Sequence, residues 1–475
     1  MLTIRFGPRG RSCDGVSRRD FIRAGAMGIG AWTLPGLLRT RAAVAASGKN
    51  VRPRSVVLLF LAGGPSQFET FDPKPLASSE ERTMTGTIST TVPGLHFGSY
   101  FEKTARFAHK LAVVRSFQAP YAIHRESVIE VLSGGTTVLP ILKNVPRQGA
   151  SLGSIIARLK GASDPRTGMP NHALLMNPEL RERFITDFIV PVRLGSESGP
   201  LGSAYAPFEP GGDSIALRNM TLNMSAGQWE DRRDLLRSLD RFRRRVDTQD
   251  SLAGQDEFTQ QAFHVLQGGA ASALDLSHED PETVRKYDTS GYIVHSRQKP
   301  GNSSPSTLGR QLLLARRLAE AGCGFVTVMS SGWDHHSNEV NYDILGGMRN
   351  LAPPLDHALA AFLADVESRG LENDILLVVT GEMGRTPKIN KDGGRDHWAN
   401  LSPLLLAGGG LNVGGAIGRS TSNGGEPATT PHRCGHLAAT ILHALFDIGQ
   451  LRLDPTLPDS IRRLIENERP IEGLA

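Results

Sequence analysis

Cysteine is almost missing from this chain: there are three residues in 475, Cys13, Cys323 and Cys434, and no CxxC pair among them. That excludes a disulfide framework and leaves room for one bridge, since Cys13 departs with the leader described below. Long apolar runs are missing too, and beyond residue 46 no segment can span a bilayer. No internal repeat or low-complexity tract interrupts the chain. Nor is there an excess of charge where function would lie. The whole chain carries +5, but residues 1–46 hold eight arginines against two aspartates, which leaves the remainder at −1. A basic surface is not implied, and nucleic-acid binding loses its main support.

What is present begins with a targeting layout. Ser17-Arg18-Arg19-Asp20-Phe21-Ile22-Arg23 places an arginine pair ahead of an aromatic and an aliphatic residue, then enters the glycine-rich, mildly apolar stretch 24–38. That stretch is too short and too rich in glycine for a stable membrane helix, and Ala43-Val44-Ala45-Ala46 follows as a peptidase site. Residues 1–46 therefore read as a twin-arginine signal peptide. The partner implied is the twin-arginine export machinery, the destination is the periplasm or cell surface, and no stable membrane span remains after cleavage. The competing reading is an uncleaved N-terminal anchor. Export of a folded chain suits a protein that loads a metal or other cofactor before it crosses the membrane.

Residues 47–475 are enough for one large α/β domain with insertions, or for two domains. Short apolar runs at 55–62, 111–116, 324–330, 374–380 and 403–407 are bounded by Gly, Pro or polar residues and read as buried strands. Helical stripes occupy 307–321 and 355–369. Strands alternating with helices predict an α/β fold, a three-layer α/β/α sandwich around a mostly parallel sheet. The stretch 221–267 mixes Arg, Asp and Glu on an amphipathic pattern and reads as a charged helical insert with a solvated face.

Three of the predicted strands neighbour polar clusters, and ligands of open parallel sheets bind at the carboxyl ends of strands. One strand runs into Gly332-Trp333-Asp334-His335-His336, the next into Gly381-Glu382-Met383-Gly384-Arg385, and Gly394-Arg395-Asp396-His397-Trp398 precedes the strand at 403. A carboxylate with an imidazole two residues on, joined by a further His and Glu from adjacent loops, makes a mixed oxygen and nitrogen ligand set suited to Zn, Mn or Fe. Each His taken singly reads equally as a hydrogen-bonded structural residue. Arg385 and Arg395 either clamp an anionic group or pair with Glu382 or Asp396. Gly63-Gly64-Pro65-Ser66 after the first strand is an anion nest or a tight turn. Gly149-Ala150-Ser151-Leu152-Gly153 matches the GxSxG nucleophile elbow in form, but no apolar strand precedes it, so Ser151 reads as the N-cap of a helix over 152–160.

Together, the arginine-pair leader, Gly63-Gly64-Pro65-Ser66 with Phe71-Asp72-Pro73-Lys74-Pro75, Gly332-Trp333-Asp334 and the block from Glu382 to Trp398 resemble the domain-of-unknown-function 1501 family, relatives of alkaline phosphatases and sulfatases. The resemblance covers nearly the whole mature chain and implies an alkaline-phosphatase-like fold. Residue by residue, it implies one metal site built from Asp334, His336 and His397, with a second site eroded. Gly63 and Gly64 stand where relatives place Asp, and Glu382-Met383 replaces Asp-His. At the position of the sulfatase nucleophile it puts His124, in His124-Arg125-Glu126-Ser127, as a metal ligand, a nucleophile or a helix-start histidine. Glu382 is then a further ligand or a general base.

Two functions follow. One is an exported hydrolase of a small anionic ester, phosphate or sulfate, dependent on one divalent transition metal per chain, with His124, Glu382, Arg385 and Arg395 around the reacting group. The other is a non-catalytic binding protein on an inherited hydrolase scaffold. The leader itself gives the first prediction. The chain should be recovered outside the cytoplasm with its N-terminus near Ala46, and Arg18→Lys with Arg19→Lys should hold it inside; unchanged export of that variant would refute the targeting assignment.

Overall fold

A strand buried on both faces shows no polar alternation, and the run Ser55–Ala62 is buried along its whole length. The computed structural model describes residues 53–136, 149–176, 188–210, 270–292, 307–337 and 342–474; the leader and the charged insert lie outside the described residues. Within these the strands are β1 (Ser55–Ala62), β2 (Thr87–Ser89), β3 (His96–Gly98), β4 (Leu111–Val114), β5 (His172–Leu175), β6 (Phe325–Ser331), β7 (Ile375–Thr380), β8 (Gly384–Arg385), β9 (His397–Trp398), β10 (Leu404–Gly408) and β11 (Gly415–Ile417). The helices that matter below are α1 (His124–Ser133), α2 (Leu152–Lys160), α3 (Val190–Ser196), α4 (Leu308–Glu320), α5 (Ile344–Ser368) and α6 (Cys434–Leu445).

Seven strands form the central sheet in the order β11-β4-β10-β7-β1-β6-β5, with β2-β3 and β8-β9 as separate pairs. Every pairing in the large sheet is parallel except those of β10, which runs antiparallel to β7 and β4. Alternate residues of β1 cover the two faces. Val57, Leu59 and Leu61 join one core with Leu312, Leu313 and Leu318 of α4 and with Leu355, Leu359 and Phe362 of α5. Val56, Leu58 and Phe60 are equally buried on the opposite side, outside that core. The result is an α/β fold with a mostly parallel sheet between helical layers. Arg316, buried on α4, ties its layer together through Asp365 of α5 at 2.9 Å and Glu320 at 2.6 Å. Cys323 and Cys434 are both buried and free, so the single bridge left open by the sequence does not form.

One helix and two edge strands differ from the sequence reading. Helix α5 starts at Ile344, capped by Asp343 accepting from the Gly346 amide at 2.6 Å, and continues through Pro353 and Pro354. The apolar stripe in the sequence placed its start at 355; burial of Ile344, Met348 and Leu351 outweighs the two donors missing at the prolines. The edge strands β5 and β11 are four and three residues long, too short for a periodic signal.

The elbow-like segment is structural. Ser151 caps α2, its Oγ accepting from the Ser154 amide at 3.1 Å. Ser154 Oγ lies 3.3 Å from His172 Nδ1, and a Cβ on Gly153 would sit 2.2 Å from His172 Nε2, so glycine is what lets the ring lie against the helix. Burial pushes the His172 imidazole down to about 4. The unfolded chain therefore takes up a proton that the native state refuses. Stability is full above the ordinary histidine pKa and is lost as pH falls from about 6.5 to about 4, by roughly 3 kcal/mol. The stability difference between wild type and His172→Gln, measured by urea titration at pH 7 and pH 4, should narrow by about that amount; a constant difference would remove His172 as the cause.

Candidate metal centre

Strand order and register decide what meets at the sheet edge. Ala62 lies beside Ser331 and Phe60 beside Thr380, so β1, β6 and β7 release their loops on the same side. Antiparallel β10 enters where they leave, with Leu404 opposite Thr380, and delivers the preceding His397 to that edge. The two-residue ladder of β8 and β9 then sets Arg385 opposite His397. Helix α1 begins at this edge with His124, its amide end uncapped by any side chain.

Asp334, almost wholly buried, is the centre. Its Oδ1 lies 3.2 Å from His397 Nε2, and its Oδ2 lies 3.0 Å from His336 Nε2 and 3.5 Å from His124 Nε2. His124, Asp334 and His397 each offer a ligand atom within 4.8 Å of one another. Glu382, fully buried, accepts at Oε1 from His124 Nδ1 at 2.7 Å and from the Gly63 amide at 2.8 Å, while its Oε2 has no partner among the described residues. A Cβ on Gly63 would meet the Asp334 and Trp333 amides at 2.6 and 2.7 Å, and its φ is +117°; only glycine fits the closest approach of two strand-end loops.

Arg385 is buried in the same place. It donates to Asp334 Oδ1 at 2.6 Å, to the Gly64 carbonyl at 2.7 Å and to the Arg395 carbonyl at 3.1 Å, and it reaches the Gly63 carbonyl too. Its own backbone is pinned by Gln67, whose amide gives one hydrogen bond to the Arg385 carbonyl and takes another from the Arg385 N–H. Arg395 is not brought to the cluster. Fully buried, it binds the carbonyls of Pro387, Thr386, Glu81 and Arg82, pairs with Glu69 at 3.3 Å and stacks on Phe68 with its guanidinium carbon 4.2 Å from the ring centre. Neither arginine pairs as the sequence suggested, with Glu382 or Asp396; Asp396 takes a bond from Asn390 instead. Gly63 and Gly64 form a turn whose carbonyls receive a guanidinium rather than a nest for an anion.

The hydrogen bonds around the rings decide their tautomers. His124 Nδ1 faces a carboxylate and His397 Nδ1 faces the Ala122 carbonyl at 3.2 Å, both acceptors only, so Nδ1 carries the proton in each ring. The Nε2 lone pairs then converge on the Asp334 carboxylate, an arrangement that repels unless positive charge is added. Protons are one source. Burial works against the His124 imidazolium, but hydrogen bonds to Asp334 and Glu382 outweigh it and raise its pKa to about 9. Burial likewise opposes the Asp334 anion, yet Arg385 and the three histidines hold its carboxyl far below the usual range. A divalent cation is the other source, and the donor set of imidazole nitrogens and one carboxylate suits Zn, Mn or Fe.

Sequence reasoning missed Gln67, Ser127 and His335. Ser127 donates its hydroxyl to the Glu382 carbonyl at 2.5 Å, and His335 is a fully buried ring against Gly347. A glutamine in a turn and a helix serine give no signal, and His335 was indistinguishable in the string from its neighbour His336.

No functionally curated protein matches the chain. Among solved structures it is similar to a phosphonate monoester hydrolase from Silicibacter pomeroyi, at 10% identity over 82% of this chain and 73% of that one, TM-score 0.38. It is similar also to the PsFucS1 sulfatase from Pseudoalteromonas sp., at 11% identity over 85% and 69%, TM-score 0.36. A third similarity is to a protein of the alkaline phosphatase superfamily from Vibrio parahaemolyticus, at 12% identity over 81% and 68%, TM-score 0.34. No helix among the described residues is long and apolar enough to cross a membrane. The family described as "Protein of unknown function (DUF1501)" matches residues 53–470, nearly the whole of this fold with its strand-end cluster, and the chain belongs to that family.

Proposed function

We propose that this protein is an exported hydrolase of small anionic esters, phosphate or sulfate, that works with one divalent transition metal held by Asp334, His397 and His124, with His336 against the same carboxylate. The observation that carries the reading is the convergence of three imidazole Nε2 atoms on one buried carboxylate, two of them in the tautomer that presents a lone pair. A cation bound there would polarise the ester and acidify water.

The remaining steps belong to the chain's own groups. Arg385 fixes Asp334 by a charge-assisted hydrogen bond and is itself immobilised by three carbonyls. Glu382 Oε1 orients His124 through Nδ1, which leaves Oε2, buried and unpartnered, to take the proton of the attacking water. The water oxygen forms the new bond to phosphorus or sulfur, the ester oxygen departs, and the proton on Glu382 passes to the departing alkoxide. No side-chain ester intermediate is needed. Ser127, three residues along α1, has its hydroxyl committed to the Glu382 carbonyl, and imidazole at His124 serves as ligand. Since Arg395 is locked among loop carbonyls, its role here is to hold the 386–396 loop that delivers His397.

Elemental analysis of purified protein should find about one Zn, Mn or Fe per chain, and Asp334→Ala or His397→Ala should lose it. A metal-free protein, or full occupancy in both variants, would sink the centre. With metal present, a screen of aryl phosphates, phosphodiesters and sulfates should reveal turnover, and Glu382→Gln should lower kcat by about 10²–10⁴ with metal content unchanged. Absence of turnover on every anionic ester, with metal bound, would move the protein to the binding role.

A further inference from the structure

An anionic substrate needs a cation at the site, and neither arginine of the strand-end loops is free to provide one. Arg385 and Arg395 are fully buried, with the N–H groups of Arg385 and the terminal N–H groups of Arg395 directed at backbone carbonyls and at Asp334 and Glu69. Asp334 and Glu382 would by themselves balance a divalent cation, so the ester's own charge calls for a further partner. One stands beside the cluster. Arg125, the second residue of α1, is exposed and lines a cleft of about 470 Å³ that has His124 and His397 on its wall. Among the described residues no hydrogen bond or ion pair engages its guanidinium. An exposed arginine next to a ligand histidine, with no carboxylate to satisfy it, is positioned for bidentate capture of a phosphate or sulfate group.

The rest of that cleft is apolar, and exposed where burial would be expected. Ile123 is 61% and Val190 41% exposed, and both line the cleft together with Pro191. Val190 and Pro191 open α3, which packs along α1, and Ile123 is the residue that precedes the first turn of α1. Large aliphatic side chains left in water around a concave polar floor mark a surface meant to be covered. The volume leaves room for a ring system beside a tetrahedral anion.

We infer that Arg125 anchors the acid group of the substrate and that the Ile123, Val190 and Pro191 wall selects esters with an apolar, ring-sized alcohol part. This rests on the anionic-ester reading above and adds the substrate class to it. Neither part was visible in the sequence, where Arg125 was only the neighbour of His124 and Val190 stood 66 positions further along.

The test is binding rather than turnover, on protein as purified, with metal content measured in the same sample. Calorimetry with 1-naphthylphosphonate and methylphosphonate, which are not hydrolysed, should give at least about tenfold tighter binding of the naphthyl probe. Arg125→Ala should weaken both probes by roughly 10–100-fold, the loss of a charge-assisted hydrogen bond, and Arg125→Lys should restore part of it. Ile123→Ser with Val190→Ser should weaken only the naphthyl probe, by roughly tenfold, with metal content unchanged. Equal affinity for the two probes, no binding of either, or wild-type affinity in Arg125→Ala would overturn the inference. Turnover of aryl esters together with an inert Arg125→Ala change would leave the hydrolase standing and this assignment fallen. An Arg125-dependent naphthyl preference in protein that turns nothing over would do the reverse.

Discussion

The hydrogen-bonded ion pair between Arg385 and Asp334 is the constraint on which the site is built. Both side chains are out of water, and a buried charge is tolerated only when its partner and its remaining hydrogen-bonding atoms are all engaged. Asp334 meets that condition with the Arg385 guanidinium and with the positive charge, proton or cation, that the imidazoles beside it call for; Arg385 meets it with the carbonyls of Gly63, Gly64 and Arg395. The pair therefore gathers the loops after β1, β6 and β7 and the segment before β10. Removing either partner would leave an uncompensated charge in the middle of the sheet edge, which is costlier than losing one contact.

Satisfying that pair also divides the labour among arginines. A guanidinium locked on backbone carbonyls is a fixed strut and is not available to bind and release a ligand. Arg395 is a second strut of the same kind, stacked on Phe68 and closing the loop that carries His397. Among the described residues Arg125, at the start of α1, is the exposed arginine that lines the cleft beside His124 and His397, and the proposed capture of an external anion falls to it. Position in the dielectric, more than residue type, separates the structural cations from the ligand-facing one.

Much of the frame was legible in the string. The five apolar runs became β1, β4, β6, β7 and β10 with bounds within two residues, because strands buried on both faces must be short and continuously apolar. Asp334, His336, Glu382 and His397 were legible as site candidates because strand-end loops of a parallel sheet converge. What escaped was set by contacts distant in sequence. Gln67 reads as an ordinary turn residue until its side chain is seen bridging both backbone groups of Arg385, and helix α5 passes two prolines because its first turns have a core to bury against.

The sequence by itself determined the class of fold and the residue types that stand near its strand ends, since periodicity and residue chemistry are properties of the chain alone. Tertiary structure decided which nitrogen of each histidine is free, which oxygen of Glu382 is unpartnered, which arginines are buried and which faces the cleft. Those depend on the acceptor that lies opposite each atom and on the depth at which a charge comes to rest, and both arise only when segments hundreds of residues apart are brought to one sheet edge.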